Sequence, residues 1–112
     1  MYITAEQPSS HVTIVHLSGR LDLQSAPEMK QYLIDLVGQD SHLVVVDLED
    51  TIFVDSSGLS ALISGLKAAR QKGGDLRIAR PSKQVEVILN LTTLNHILKP
   101  YTSLEDALEH YE

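Results

Sequence analysis

The sequence predicts an α/β fold in a single domain, and three observations predict it. Apolar β-branched runs alternate with segments whose apolar residues recur at helical spacing, the pattern of parallel strands joined by crossover helices. One run, Leu43-Val44-Val45-Val46, is continuously apolar, as a central strand covered on both faces requires. The chain of 112 residues is long enough for one core and too short for two, so residues 1–112 read as one domain.

Residues 2–6 form a short strand, and Gln7-Pro8-Ser9-Ser10 reads as a turn. From Val12 the pattern alternates: Val12, Ile14 and His16 face one way, Thr13, Val15 and Leu17 the other. This second strand runs antiparallel to the first and ends near Ser18-Gly19-Arg20-Leu21-Asp22. Ser25, Pro27 in the following turn and Glu28 three residues on have the form of a capping box. Met29, Leu33, Leu36 and Val37 then mark one helical face, with Gly38 as the stop.

After the 43–46 strand, Asp47, Glu49 and Asp50 read as a solvated strand end, followed by a second apolar piece, Ile52-Phe53-Val54. The next helix is well specified, because Leu59, Leu62, Ile63, Leu66 and Ala69 fall on one face. Lys67, Arg70 and Lys72 crowd its last turns, where cations suit the helix dipole, and Gly73-Gly74 ends it. Leu76–Ala79 is a strand. Pro81-Ser82 opens a third helix with Val85, Ile88 and Leu89 on one face. Ile97-Leu98 reads as a short last strand, and Ser103 with Asp106 opens a final helix carrying Leu104, Ala107, Leu108 and Tyr111. The order is β-β-α-β-α-β-α-β-α.

Composition removes several function classes. The formal net charge is −6, and the aromatic residues are four Tyr and one Phe without Trp. Neither suits a nucleic acid or an anionic membrane surface. The absence of cysteine excludes disulfides, thiolate metal sites and a cysteine nucleophile, and fits a reducing compartment. No basic start with an apolar run opens the chain, and no apolar stretch approaches the roughly 20 residues of a bilayer span. The expectation is a cytoplasmic protein without membrane insertion.

The residues that carry chemistry sit in Val54-Asp55-Ser56-Ser57-Gly58-Leu59, where a strand gives way to a helix. In α/β folds ligands and chemistry gather at such junctions. A phosphate on either serine would lie at the positive end of the helix dipole, beside N–H groups free to receive it. The same residues also suit capping, since Asp and Ser are favoured there and Gly58 permits close packing. The two roles are compatible. Asp55 either orients the serine hydroxyl or is a turn carboxylate. Asp22 either borders the same surface or is a turn aspartate.

Other chemistries fit less well. A nucleophile elbow needs glycine two residues before its serine, and position 54 is Val. A hydrolase would need a base such as His96 beside Ser56 or Ser57, and nothing in the spacing requires it. A phosphate-binding loop with its Lys-Ser/Thr ending is absent. His11 and His16 face opposite sides of a strand and His42 lies in a turn, so no metal or other cofactor is expected.

With those residues in place, the chain resembles a STAS domain of the anti-sigma factor antagonist type over nearly its whole length. The resemblance rests on Leu17-Ser18-Gly19-Arg20-Leu21-Asp22, on Val44-Val45-Val46-Asp47-Leu48 feeding Phe53-Val54-Asp55-Ser56-Ser57-Gly58-Leu59, on Lys72-Gly73-Gly74-Asp75-Leu76, and on Leu91-Thr92-Thr93-Leu94. It implies a mixed sheet of four to five strands with four helices packed mainly on one side. It also implies partner switching. The unphosphorylated antagonist binds a serine-kinase anti-sigma factor, the kinase phosphorylates the serine after the motif Asp, and a metal-dependent serine/threonine phosphatase restores it. That serine is Ser56, with Ser57 the fallback, and Asp22, Asp55, Ser57 and Gly58 belong to the partner-binding surface. Oligomeric state stays open.

Two features depart from the pattern. The best-known antagonists carry an acidic or small residue where Arg20 stands. Lys99-Pro100 resembles the signature of receiver domains, in which Asp47 or Asp55 would accept the phosphoryl group. A receiver also needs an acidic pair near its first strand, and residues 1–16 contain only Glu6. A STAS module that is never phosphorylated and only scaffolds a sensory or transport complex is the remaining alternative.

Overall fold

Among the described residues, six strands form one mixed sheet. The computed structural model describes residues 1–111. The elements are β1 (Tyr2–Ser9), β2 (Val12–Leu21), α1 (Ala26–Gly38), β3 (Leu43–Asp47), β4 (Thr51–Val54), α2 (Ser56–Gln71), β5 (Asp75–Ala79), α3 (Lys83–Leu91), a single 3-10 turn (Leu94–His96), β6 (Pro100–Tyr101) and α4 (Leu104–Leu108). Strands lie in the order β1-β2-β3-β5-β6; only β1 is antiparallel to its neighbour.

Besides its pairing with β1, β2 serves two further partners. Residues 12–16 pair with β3, and residues 19–21 pair in parallel with β4. The change happens at Gly19, whose φ of 92° lies in the region that favours glycine, and whose N–H donates to Asp50 O at 3.1 Å. The piece 52–54 is therefore a strand in its own right, which brings the count to six rather than four to five. The guanidinium of Arg20 lies 4.4 Å from the Phe53 ring and ties the two short segments together.

Three local expectations need correction. β1 continues through Gln7 and Pro8 to Ser9, with its register shifted between Glu6 and Ser9. Proline is tolerated there because β1 is an edge strand. The last strand is Pro100–Tyr101 instead of Ile97-Leu98. Leu98 N–H instead closes a helical turn on Leu94 O at 2.7 Å, and its side chain is buried in the core. Ser25 makes no side-chain cap to α1. Its hydroxyl donates to Arg20 O at 2.8 Å and accepts from Asp22 N–H at 3.0 Å, closing the β2–α1 loop.

The alternation in β2 divides the core. Val15 and Leu17 join Val44, Val46 and the apolar faces of α1, α2 and α3 on one side of the sheet. Val12, Ile14 and Val45 pack with Ala79, Ala107 and Tyr111 on the other side, under α4. Three helices thus cover one face and one short helix the other. In α2 the buried face is Leu59, Leu62, Leu66 and Ala69 with Gly58, Ala61 and Gly65, and Ile63 is half-buried at its margin.

Tyr111, just beyond α4, fastens that helix to the sheet. Its hydroxyl, on a side chain 6 % exposed, donates to Val44 O at 2.7 Å and accepts from Val44 N–H at 3.1 Å. Arg77 lies 4.0 Å over the Tyr111 ring and donates to Ala107 O and Glu109 O. Tyr111→Phe removes both bonds to Val44, whose backbone groups stay within the β2–β3–β5 ladder. It is expected to cost about 1–3 kcal/mol of stability in urea denaturation, at roughly 0.5–1.5 kcal/mol for each hydrogen bond lost.

Candidate functional site

Leu21 ends β2 and Val54 ends β4, side by side in the sheet, so the loops after them emerge together. Asp55 binds those loops. Its N–H donates to Leu21 O at 3.2 Å, Oδ1 accepts from Gly58 N–H at 2.9 Å, and Oδ2 accepts from Leu23 N–H at 3.1 Å. With its backbone extended, Asp55 is the N-cap of α2. Both Asp55 oxygens accept from backbone N–H groups, and no serine hydroxyl is hydrogen-bonded to them among the described residues.

That assignment frees the serines. Ser56, the first helical residue, is exposed, and its hydroxyl makes no hydrogen bond among the described residues. Ser57 is half-buried and lines a shallow groove between α1 and α2 with Leu23, Pro27, Lys30, Ser60 and Ser64. Leu23, on the loop that Asp55 holds, is 71 % exposed. Gly58 is buried, and the backbone that approaches it is this chain's own. A Cβ there would stand 2.4 Å from Leu21 O. It offers a partner no surface and instead lets α2 start against β2.

Asp22 is half-buried in the β2–α1 loop. Oδ1 accepts from Gln24 N–H at 3.1 Å and Ser25 N–H at 3.4 Å, and Arg20 Nε lies 3.5 Å from Oδ2. Burial pushes its pKa up, but the two backbone bonds and Arg20 outweigh this and hold it below the ordinary value. Asp22 thus stays ionised in the loop that Asp55 joins to the serine turn. Arg20, the unusual residue in this loop, is its ion-pair partner.

Among the described residues, the carboxylate expected at a solvated strand end is the one with the most partners. Asp47 is 4 % exposed. Arg80 Nη2 and Nε reach it at 2.6 and 3.0 Å, His16 Nδ1 lies 2.8 Å from Oδ2, and Glu49 N–H donates to Oδ1. Arg80 also pairs with Glu49, and His16 Nε2 lies 3.1 Å from Glu6. Neither Asp47 nor the capping Asp55 is a free phosphoacceptor of the receiver kind. No histidine is hydrogen-bonded to Ser56 or Ser57, and no group of His, Asp and Glu suited to a metal ion is found, among the described residues.

The His16–Asp47 pair makes stability depend on pH. Burial lowers the His16 pKa, but bonds to Glu6 and Asp47 more than reverse this and raise it above 6.5. Burial raises the Asp47 pKa, but Arg80 and His16 more than reverse that and hold it below 3.8. The Asp47 contribution is present above 3.8 and lost as pH falls through the lowered value. The His16 contribution is complete below 6.5 and lost as pH rises through the raised value. Urea midpoints are therefore expected to fall between about pH 6 and pH 8, and His16→Gln should flatten that slope.

One residue of the site left no trace in local sequence. Gln84, on the first turn of α3, accepts from Val54 N–H at 3.0 Å and donates to Val54 O at 2.8 Å. It thereby closes the edge of β4 opposite β2, immediately before the serine turn.

Comparison with known proteins agrees with this architecture. The STAS domain model matches residues 2–107. The anti-sigma F factor antagonist of Paenibacillus polymyxa is 30 % identical over 103 residues, covering 90 % of this chain and 87 % of that protein. The anti-sigma-B factor antagonist of Bacillus subtilis is 29 % identical over 84 residues, covering 75 % and 76 %. A crystal structure of a candidate anti-sigma factor antagonist from Thermotoga maritima superposes with a TM-score of 0.90 at 24 % identity, covering 97 % and 93 % of the two chains. Among the described residues no helix is long and apolar enough to cross a membrane. A matching model over nearly the whole chain, the relatives it aligns with and the shared fold make this chain a member of the STAS domain family.

Proposed function

We propose that this protein is an anti-sigma factor antagonist that works by partner switching, a binding protein and not an enzyme. Unphosphorylated, it binds a serine-kinase anti-sigma factor through the Ser56 turn, the Asp22 loop and the groove beside Ser57. Phosphorylation of Ser56 by that kinase releases it, and a metal-dependent serine/threonine phosphatase resets it.

The observation that carries this reading is the division of labour at the start of α2. Asp55 already caps the helix and holds the neighbouring loop, so the exposed Ser56 hydroxyl has no structural duty. A phosphate there adds about −1.5 to −2 charges to a helix terminus that favours anions. The fold tolerates it, while a partner shaped for a neutral hydroxyl meets new charge beside Asp55 and Asp22.

The test is intact-mass analysis and peptide mapping after incubation with ATP and the candidate serine kinases of the same genome. Phosphate on Ser56 that survives hydroxylamine is expected. A hydroxylamine-labile acyl phosphate, or no phosphate with any kinase, overturns the reading; the second result favours a scaffold.

A further inference from the structure

β4 has four residues and one paired edge, yet it carries the phosphoacceptor turn at its end. The Asp55 N–H turns toward β2, where it meets Leu21 O. The two polar groups of Val54 meet the Gln84 side chain, at 3.0 and 2.8 Å. A primary amide matches a peptide group in donor and acceptor, so Gln84 acts as a one-residue strand against an otherwise open edge. Gln84 is itself fixed. It comes after Ser82, whose hydroxyl accepts from Val85 N–H at 3.3 Å as the α3 cap, and Arg80, which is paired with Asp47.

We infer that Gln84 is a positioning residue for Ser56. Its paired hydrogen bonds to Val54 lock the end of β4 to the first turn of α3, so that the serine turn and α3 move as one body. The inference deepens the phosphorylation reading and rests on it for its functional consequence. Without the lock, the turn samples orientations in which Ser56 is not presented. The kinase then sees a lower fraction of competent substrate, which raises the apparent KM and leaves kcat unchanged.

The test compares wild type with Gln84→Met, which keeps the length of the side chain and removes both polar atoms. Lys83→Ala, at the exposed neighbouring position, is the control. Amide exchange at Asp55 and Gly58, whose N–H groups donate to Leu21 O and Asp55 Oδ1 and not to Gln84, is expected to accelerate by about tenfold in Gln84→Met, with Val45 in β3 unchanged, because the opening is local. The apparent KM for phosphorylation of Ser56 is expected to rise about twofold or more at constant kcat, by the factor by which the closed population falls, and Lys83→Ala should match wild type in both. Unchanged exchange at Asp55 and Gly58, equal acceleration there and at Val45, or an unmoved KM for the variant where the wild type is phosphorylated would each overturn the inference. A wild-type protein that no kinase phosphorylates removes the phosphorylation reading instead, and the exchange pattern then decides alone whether Gln84 holds the turn.

Discussion

Ser56→Asp is expected to weaken binding of the proposed serine-kinase partner by about 100-fold, while Ser56→Ala binds as tightly as wild type. A hundredfold loss corresponds to about 2.7 kcal/mol, within the several kcal/mol that a like-charge contact costs at an interface. The new carboxylate would stand beside Asp55, in a molecule whose formal net charge is already −6. The same charge is favourable within the fold, because position 56 opens α2 and an anion there gains about 0.3–1 kcal/mol from the helix dipole. Melting temperatures of the two variants should therefore match wild type or, for Asp, lie slightly above it. Binding isotherms at two salt concentrations check the electrostatic origin, since the penalty for an exposed charge shrinks as salt screens it. Equal affinity of the two variants would end the switching hypothesis.

Periodicity made the elements legible, and chemistry at the ends of elements made the site legible. The alternation in Val12–Leu17 divides the core as expected because residue spacing alone decides which face of a strand a side chain takes. Asp55-Ser56-Ser57-Gly58 lies at a strand–helix junction as expected because cap residues and a helical apolar face are local signals. The features that were not legible depend on contacts distant in sequence. Asp47 reads as a solvated acid until Arg80, 33 residues on, folds over it. Gln84 reads as an ordinary polar helix residue until β4 lies alongside, 30 residues away in the chain. Ser25 has the spacing of a capping box, but the loop before it competes for the same hydroxyl and wins. Ile97-Leu98 has strand-forming composition, but Leu98 is claimed by the core and the strand slips to Pro100–Tyr101.

Gly58→Ala separates two accounts of the motif glycine. Helix propensity alone predicts a gain of about 1 kcal/mol, since Gly58 lies inside the first turn of α2. Sterics predict the opposite. The added Cβ would stand 2.4 Å from Leu21 O, 2.8 Å from Leu21 Cγ and 3.0 Å from Val54 Cγ1, and a backbone oxygen cannot rotate away as a side chain can. Leu21 O also accepts the Asp55 N–H, so relief of the clash strains the bond that anchors the serine turn to β2. Overpacking of this kind outweighs the propensity gain, and a net loss of about 2–4 kcal/mol is expected. In a domain of this size that lowers the melting temperature by roughly 10–20 °C. Gly38→Ala is the control, because a Cβ at the end of α1 meets nothing within 4 Å, and its melting temperature should hold or rise. If Gly58 instead served the approach of a partner, Gly58→Ala would melt like wild type and lose only affinity. Thermal melts of the two glycine variants distinguish these accounts without a partner in hand, and an undiminished melting temperature for Gly58→Ala would return the residue to the binding surface.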